Sequence, residues 1–183
     1  PNVITQNYLH GILLSSHFTT ENQVAYNSIG LGPNQNLLGN RLDGIHLKLG
    51  AHHNLIGPGL KIAGNGGGIV LVGPKTVGNE ISGNEINRNQ SEGILLERVK
   101  GKDLDQTLIF QNQIRQNLQS GIRLHGADSH IKENEIELNE NYGIEILVHD
   151  DGTANVLEEN DEFYSTPTIL QNTVQNNLNG GIY

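Results

Sequence analysis

Polar and apolar positions along the chain follow one pattern, Asn-x-(Ile/Val)-x-x-Asn-x-x-x-Gly-Ile. It runs from Asn2 through Ile4, Asn7 and Gly11-Ile12, and again from Asn84 through Ile86, Asn89 and Gly93-Ile94. It returns at Asn112, Ile114, Asn117 and Gly121-Ile122, at Asn134, Ile136, Asn139 and Gly143-Ile144, and at Asn172, Val174, Asn177 and Gly181-Ile182. Two further copies are degenerate. Asn40 precedes Gly44-Ile45 with Leu37 upstream, and Ile62-Ala63-Gly64-Asn65 leads into Gly68-Ile69 with one residue deleted.

A third apolar position lies five residues before the central one, as in Val24 and Ile29, Ile81 and Ile86, Ile109 and Ile114, Ile131 and Ile136, or Ile169 and Val174. Each repeat therefore predicts three short strands separated by turns. Two-residue alternation is plain in Ile122-Arg123-Leu124 and Ile144-Glu145-Ile146, and no helical i, i+3, i+4 stripe can be drawn. Spacing between Gly-Ile pairs never falls below that of one coil and grows where loops are inserted, near 30–39 and 147–166. Fixed strands with free turns are the signature of stacked coils. The expected architecture is all-β: a right-handed parallel β-helix solenoid of about seven coils, one unit over 1–183. Because the repeat is already running at Asn2 and still running at Tyr183, the chain reads as an excerpt of a longer solenoid.

Stacking explains the residue types. At a coil corner Asn tolerates the left-handed conformation, and its amide can bond the equivalent Asn one coil away. With strands about 4.8 Å apart, Asn89, Asn117, Asn139 and Asn177 form an amide ladder. Ile12, Ile45, Ile69, Ile94, Ile122, Ile144 and Ile182 form an inward column, each contributing about 1.5–3 kcal/mol when buried.

Composition sharpens this picture. Only 35% of the chain is hydrophobic and 4% aromatic, so what is buried must be small and repetitive. A net charge of −9, with 11 Lys and Arg, argues against nucleic acid as a partner and against unassisted binding of acidic glycans. No Cys is present, which excludes disulfides and thiolate chemistry, and no apolar run approaches a membrane span.

The repeat resembles that of pectate-lyase-like, alginate-epimerase-like and NosD-like proteins. A second phrase, Asn27-Ser28-Ile29-Gly30, then Gly39-Asn40, Gly44-Ile45, Gly50-Ala51 and Asn54-Leu55-Ile56-Gly57, is similar to repeats of bacterial cell-surface and secreted β-helix proteins. The resemblance implies an extracellular or cell-surface setting. It also implies, for a lyase or epimerase, Asp, His, Arg, Lys or Tyr gathered on one face, often with calcium. The epimerase-type Asp-Pro-His motif is absent.

Outward positions on the Gly-Ile strand read Leu13, His46, Val70, Leu95, Arg123 and Glu145. Arg123 and Glu145 are the catalytic candidates, although as neighbours they read first as an ion pair worth under about 1 kcal/mol. Leu13, Val70 and Leu95 are exposed aliphatics that predict a covering loop or another chain. The other outward row, Val3, Ser28, Glu85, Gln113, Glu135 and Thr173, is polar. The insertion holds Asp150, Asp151, Glu158, Glu159, Asp161 and Glu162, hard oxygen ligands of the sort calcium prefers, at a spacing that matches no calcium loop. His52-His53 falls at a turn, and His10, His17, His125, His130 and His149 are read as scattered surface residues. With no convergent cluster legible, the leading expectation is a structural or adhesive protein binding a polysaccharide or another chain. The alternatives are a polysaccharide lyase or uronate epimerase, and a subunit that stacks end to end into a fibre.

Overall fold

The computed structural model describes residues 1–100, 105–147 and 167–183. The chain winds through three parallel sheets, entering each once per coil, so that stacking order equals chain order. The first sheet carries the Asn-x-Ile strands: Val3–Ile4, Ser28–Ile29, Lys61–Ala63, Glu85–Asn87, Gln113–Arg115, Glu135–Glu137 and Thr173–Gln175. The second carries the Gly-Ile strands: Ile12–Ser15, Ile45–Lys48, Ile69–Val72, Ile94–Glu97, Ile122–His125, Tyr142–Leu147 and Gly180–Ile182. The third is built from Gln23–Val24, Leu55–Ile56, Glu80–Ser82, Thr107–Phe110, Ser129–Lys132 and Thr168–Leu170. The predicted solenoid and its seven coils are present. The insertion near 30–39 is a small hairpin, with Leu31 bridging Leu37 antiparallel and Leu38 N–H bonded to the Gly30 carbonyl.

Alternation decides what is inside. In Ile45–Lys48 the inward Ile45 and Leu47 are fully buried while His46 and Lys48 face out. Register stacks Ile12, Ile45, Ile69, Ile94, Ile122, Ile144 and Ile182 in one column. Its middle members are fully buried, but Ile182 is 55% exposed. The reason is geometric: the Gly180–Ile182 strand has a neighbour on one side only.

The corner between the first and second sheets is held by a seven-rung ladder. Asn7, Asn40, Asn65, Asn89, Asn117 and Asn139 each donate Nδ2–H to the Oδ1 of the next, ending on Asn177, at 2.8–3.2 Å. The same oxygens also accept the preceding rung's backbone N–H, as Asn117 Oδ1 does from Asn89 at 3.1 Å. Shorter ladders join Asn84, Asn112, Asn134 and Asn172, and Asn22, Asn54 and Asn79, at the other corners. The left-handed residue is not the ladder asparagine, as the sequence pattern suggests, but the one before it: Gln6, Gly64, Arg88, Gln116, Leu138 and Asn176 have φ between 51° and 72°. That residue turns the corner so that the asparagine side chain points inward to its ladder partners. The following glycine makes room, since a Cβ on Gly121 would sit 2.9 Å from Asn139 Nδ2 and 2.8 Å from the Gly143 carbonyl oxygen.

Asn117→Ala removes both acceptor bonds to Asn89 and a donor to Ile86 O in a fully buried position. At about 1–3 kcal/mol per stranded polar group, urea denaturation is expected to show a loss of more than ~3 kcal/mol. The same change at Asn7, an exposed outer rung, is expected to cost below ~1.5 kcal/mol.

Candidate functional site

The outer face of the second sheet carries the chemistry. Register places Leu13, His46, Val70, Leu95, Arg123 and Glu145 on successive rungs, as the alternation predicts. A second outward row follows, with Ser15, Lys48, Val72, Glu97, His125 and Leu147. Flanking both is a third column, the residues immediately before each Gly-Ile glycine: His10, Asp43, Gly67, Glu92, Ser120, Tyr142 and Gly180. Backbone bonds from Gly11 N to Asp43 O and from Gly44 N to Gly67 O, both 2.9 Å, hold this column in register. These side chains therefore lie one above another beside the face.

At the N-terminal end His10, Asp43 and His46 converge. His46 Nδ1 lies 2.7 Å from Asp43 Oδ2 in a hydrogen bond, which assigns its proton to Nδ1 because a carboxylate only accepts. His10 Nδ1 lies 3.1 Å from the same oxygen but off the bond direction, so it is buried without a hydrogen-bond partner. The two imidazole rings sit 4.4 Å apart, tilted by 31°. Side-chain exposures of 13%, 18% and 14% for His10, Asp43 and His46 make this a recessed cluster, not a set of surface histidines. Burial holds the His10 pKa below the ordinary imidazole value; repulsion from His46 adds to this, the Asp43 carboxylate opposes it, and Lys48 lowers it further. Gly67 is part of the design, since a Cβ there would lie 2.7 Å from Asp43 Oδ1. Among the described residues this is the one group of three His or carboxylate side chains whose ligand atoms all lie within 4.8 Å of one another.

Toward the other end, Arg123 bridges two nearly buried carboxylates. Its Nη1 is 3.0 Å from Glu92 Oε1 and its Nε 3.6 Å from Glu145 Oε2. Ser120 Oγ donates to Glu145 Oε2 at 2.7 Å, and Ser91 Oγ donates to Glu92 Oε2. Arg123 and Glu145 are thus together as expected, but the closer partner is Glu92, and both acids are under 9% exposed. Between the two ends Val70 is only 8% exposed and Leu95 half-buried, so of the three expected aliphatics Leu13 alone is exposed. The acidic insertion with Asp150, Asp151, Glu158, Glu159, Asp161 and Glu162, and His149, lie outside the described residues. His53 faces Asp105 at 3.3 Å on an exposed turn.

No convergent cluster is legible in the sequence, yet the structure brings His10, Asp43 and His46 together, and His10 is recessed where the sequence reads it as a scattered surface residue. One signal could have found it: reading the residue before each glycine down the repeat puts His10 directly under Asp43, with outward His46 three residues on.

The fold and its asparagine-laddered corners define a right-handed parallel β-helix. The profile described as right handed beta helix region matches residues 34–183, and the chain belongs to that family. Among solved structures, the periplasmic alginate epimerase AlgG superposes with a TM-score of 0.70 at 20% identity, covering 99% of this chain and 42% of that one. A point variant of the same epimerase gives 0.71, covering 99% and 43%. No curated protein matches the sequence. The chain thus spans less than half the length of these structures.

Arg123→Ala would leave Glu92 and Glu145 uncompensated. A loss of about 2–3 kcal/mol is expected in urea denaturation, discounted from the 3–5 of a fully buried pair because the Arg123 side chain is 34% exposed. Arg115→Ala, which breaks a pair with Glu85 whose side chains are both about a third exposed, is expected to cost under ~1 kcal/mol.

Proposed function

We propose that this β-helix modifies a uronate-containing polysaccharide laid along the outer face of the second sheet, by removing the proton α to a uronate carboxylate. The observation that carries the reading is the His46–Asp43 hydrogen bond on an outward strand that also presents Lys48 two residues on. With its proton on Nδ1 held by Asp43, His46 keeps the Nε2 lone pair as a general base. Lys48 supplies positive charge for the substrate carboxylate as the carbanion develops. Breaking the glycosidic C–O bond at the neighbouring carbon, with the leaving oxygen taking a proton from water, then gives an unsaturated uronate, whereas return of a proton from water to the opposite face of the carbanion gives the epimer. Arg123, fixed between Glu92 and Glu145, offers its remaining N–H donors to the glycan three rungs away.

Local cations matter here because the chain as a whole is acidic. The fold is shared with the periplasmic alginate epimerase AlgG, which agrees with an extracytoplasmic setting. The alternative, an adhesive or structural role, uses the same face without chemistry.

The test is proton NMR of alginate and polygalacturonate, with and without calcium, before and after incubation with the protein. New unsaturated or epimerised uronate signals are expected, and His46→Ala is expected to slow their growth by about 10²-fold or more. Unchanged spectra with both polymers would overturn the enzymatic reading in favour of the adhesive one.

A further inference from the structure

The His10–Asp43–His46 cluster has a property that general-base chemistry does not use. One potential ligand atom from each of the three residues lies within 4.8 Å of the other two, and the Nδ1 atoms of His10 and His46 approach Asp43 Oδ2 at 3.1 and 2.7 Å. His10 Nδ1 is buried and makes no hydrogen bond. A buried ring nitrogen left unpartnered is costly unless something else satisfies it. Asp43 Oδ2 lies 3.1 Å away, close enough to pair with a protonated His10, but the contact lacks hydrogen-bond geometry.

We propose that His10, Asp43 and His46 form a binding site for a divalent transition-metal ion, of the two-histidine, one-carboxylate type. Two imidazole nitrogens and one carboxylate oxygen select zinc, or a neighbour of it in the first transition row, over calcium or magnesium, which prefer all-oxygen shells. Three protein ligands from one side leave at least one coordination position open toward the outer face, the arrangement of metal sites that also meet a substrate or water. The site is built, not incidental. His10 and Asp43 occupy the same position in adjacent coils, held by the Gly11 N to Asp43 O bond. His46 is fixed outward by the burial of Ile45 and Leu47 on either side. Gly67 leaves the space that the Asp43 carboxylate occupies.

Ligation replaces the His46 Nδ1–H bond to Asp43 and moves the ring proton to Nε2, so the metal-loaded protein is not the form in which His46 acts as a base. The inference goes beyond the polysaccharide reading and does not depend on it, because the metal is read out directly.

The experiment is calorimetric titration of the intact protein with Zn2+, with Co2+ as a spectroscopic stand-in. One equivalent of tightly held Zn2+ is expected, with Co2+ giving the visible absorption of a low-coordinate nitrogen and oxygen site. His46→Ala and Asp43→Asn should each weaken binding by well over tenfold, the loss that even an outer-shell partner can bring. His52→Ala/His53→Ala should leave it unchanged. Gly67→Ala gives a variant with all three ligands retained. Its new Cβ crowds the tip of the flexible Asp43 side chain and otherwise reaches Val70 at ordinary contact distance, so the coil folds while Asp43 is displaced, and weakened binding is expected. Absence of Zn2+ binding by the unmodified protein, or binding that survives His46→Ala and Asp43→Asn but is lost with His52 and His53, would overturn the proposal. Zinc binding with no activity on uronates would leave this site standing and remove the enzymatic reading alone.

Discussion

Each inner rung of the long asparagine ladder sits in a dry corner where an amide must find every partner inside the protein. Asn117 is fully buried, and its oxygen accepts two N–H groups from Asn89 while its nitrogen donates to Asn139 and to the Ile86 carbonyl. A buried polar network of this kind is stabilising only when complete. A coil that slipped by one residue would leave both its own amide and its neighbour's unpaired, and would turn every strand inside out. The ladder therefore does more than add hydrogen bonds: it sets the register on which the rest depends. The aliphatic column alone could not, because Ile on Ile slides at little cost, whereas amide on amide has one low-energy alignment.

From register follows the placement of chemistry. The residues before the Gly-Ile glycines are far apart in sequence, yet the ladder brings them to about one strand spacing from one another. His10 lies directly beneath Asp43 for that reason. The same constraint makes glycine necessary at Gly121, where the Asn139 amide and the Gly143 carbonyl approach, and at Gly67, where the Asp43 carboxylate does. Backbone demands and site demands are thus met by one residue type, for different reasons, a few rungs apart.

Most of the fold was legible because it repeats. The positions of Ile45, Ile94 and Ile122, the ladder through Asn89, Asn117 and Asn139, and the outward row from Leu13 to Glu145 all follow from a period that the strands cannot violate. The conformation of the corner was not legible in detail: the left-handed turn falls on Gln116 or Leu138, residues with no special tolerance for it, because the asparagine that follows needs its own side chain turned inward. The candidate site was harder still. Arg123 and Glu145 were visible as neighbours because both lie on a strand, where alternation assigns direction. Glu92, His10 and Asp43 lie in the turn ahead of the strand, where no periodicity states which way a side chain points. Their grouping became apparent only once backbone bonds such as Gly11 N to Asp43 O had fixed the turns as tightly as the strands.

The two charged groups on this face also differ in kind. Arg123 is charge-paired on both sides: it stands between Glu92 and Glu145, whose oxygens are further occupied by Ser91 and Ser120, while its own buried Nε makes no hydrogen bond. Two flanking carboxylates hold the guanidinium in place. The His10–Asp43–His46 group is under-saturated, with one ring nitrogen making no hydrogen bond and one carboxylate oxygen shared between two imidazoles. Unspent bonding capacity in a recessed, partly dry setting is where a proton, a metal ion or a substrate gains most on binding, because little must first be broken. The rigid group and the receptive group lie on the same face, separated by the rungs of Val70 and Leu95. That spacing is what a linear polymer needs if one of its units is to be gripped while another is changed.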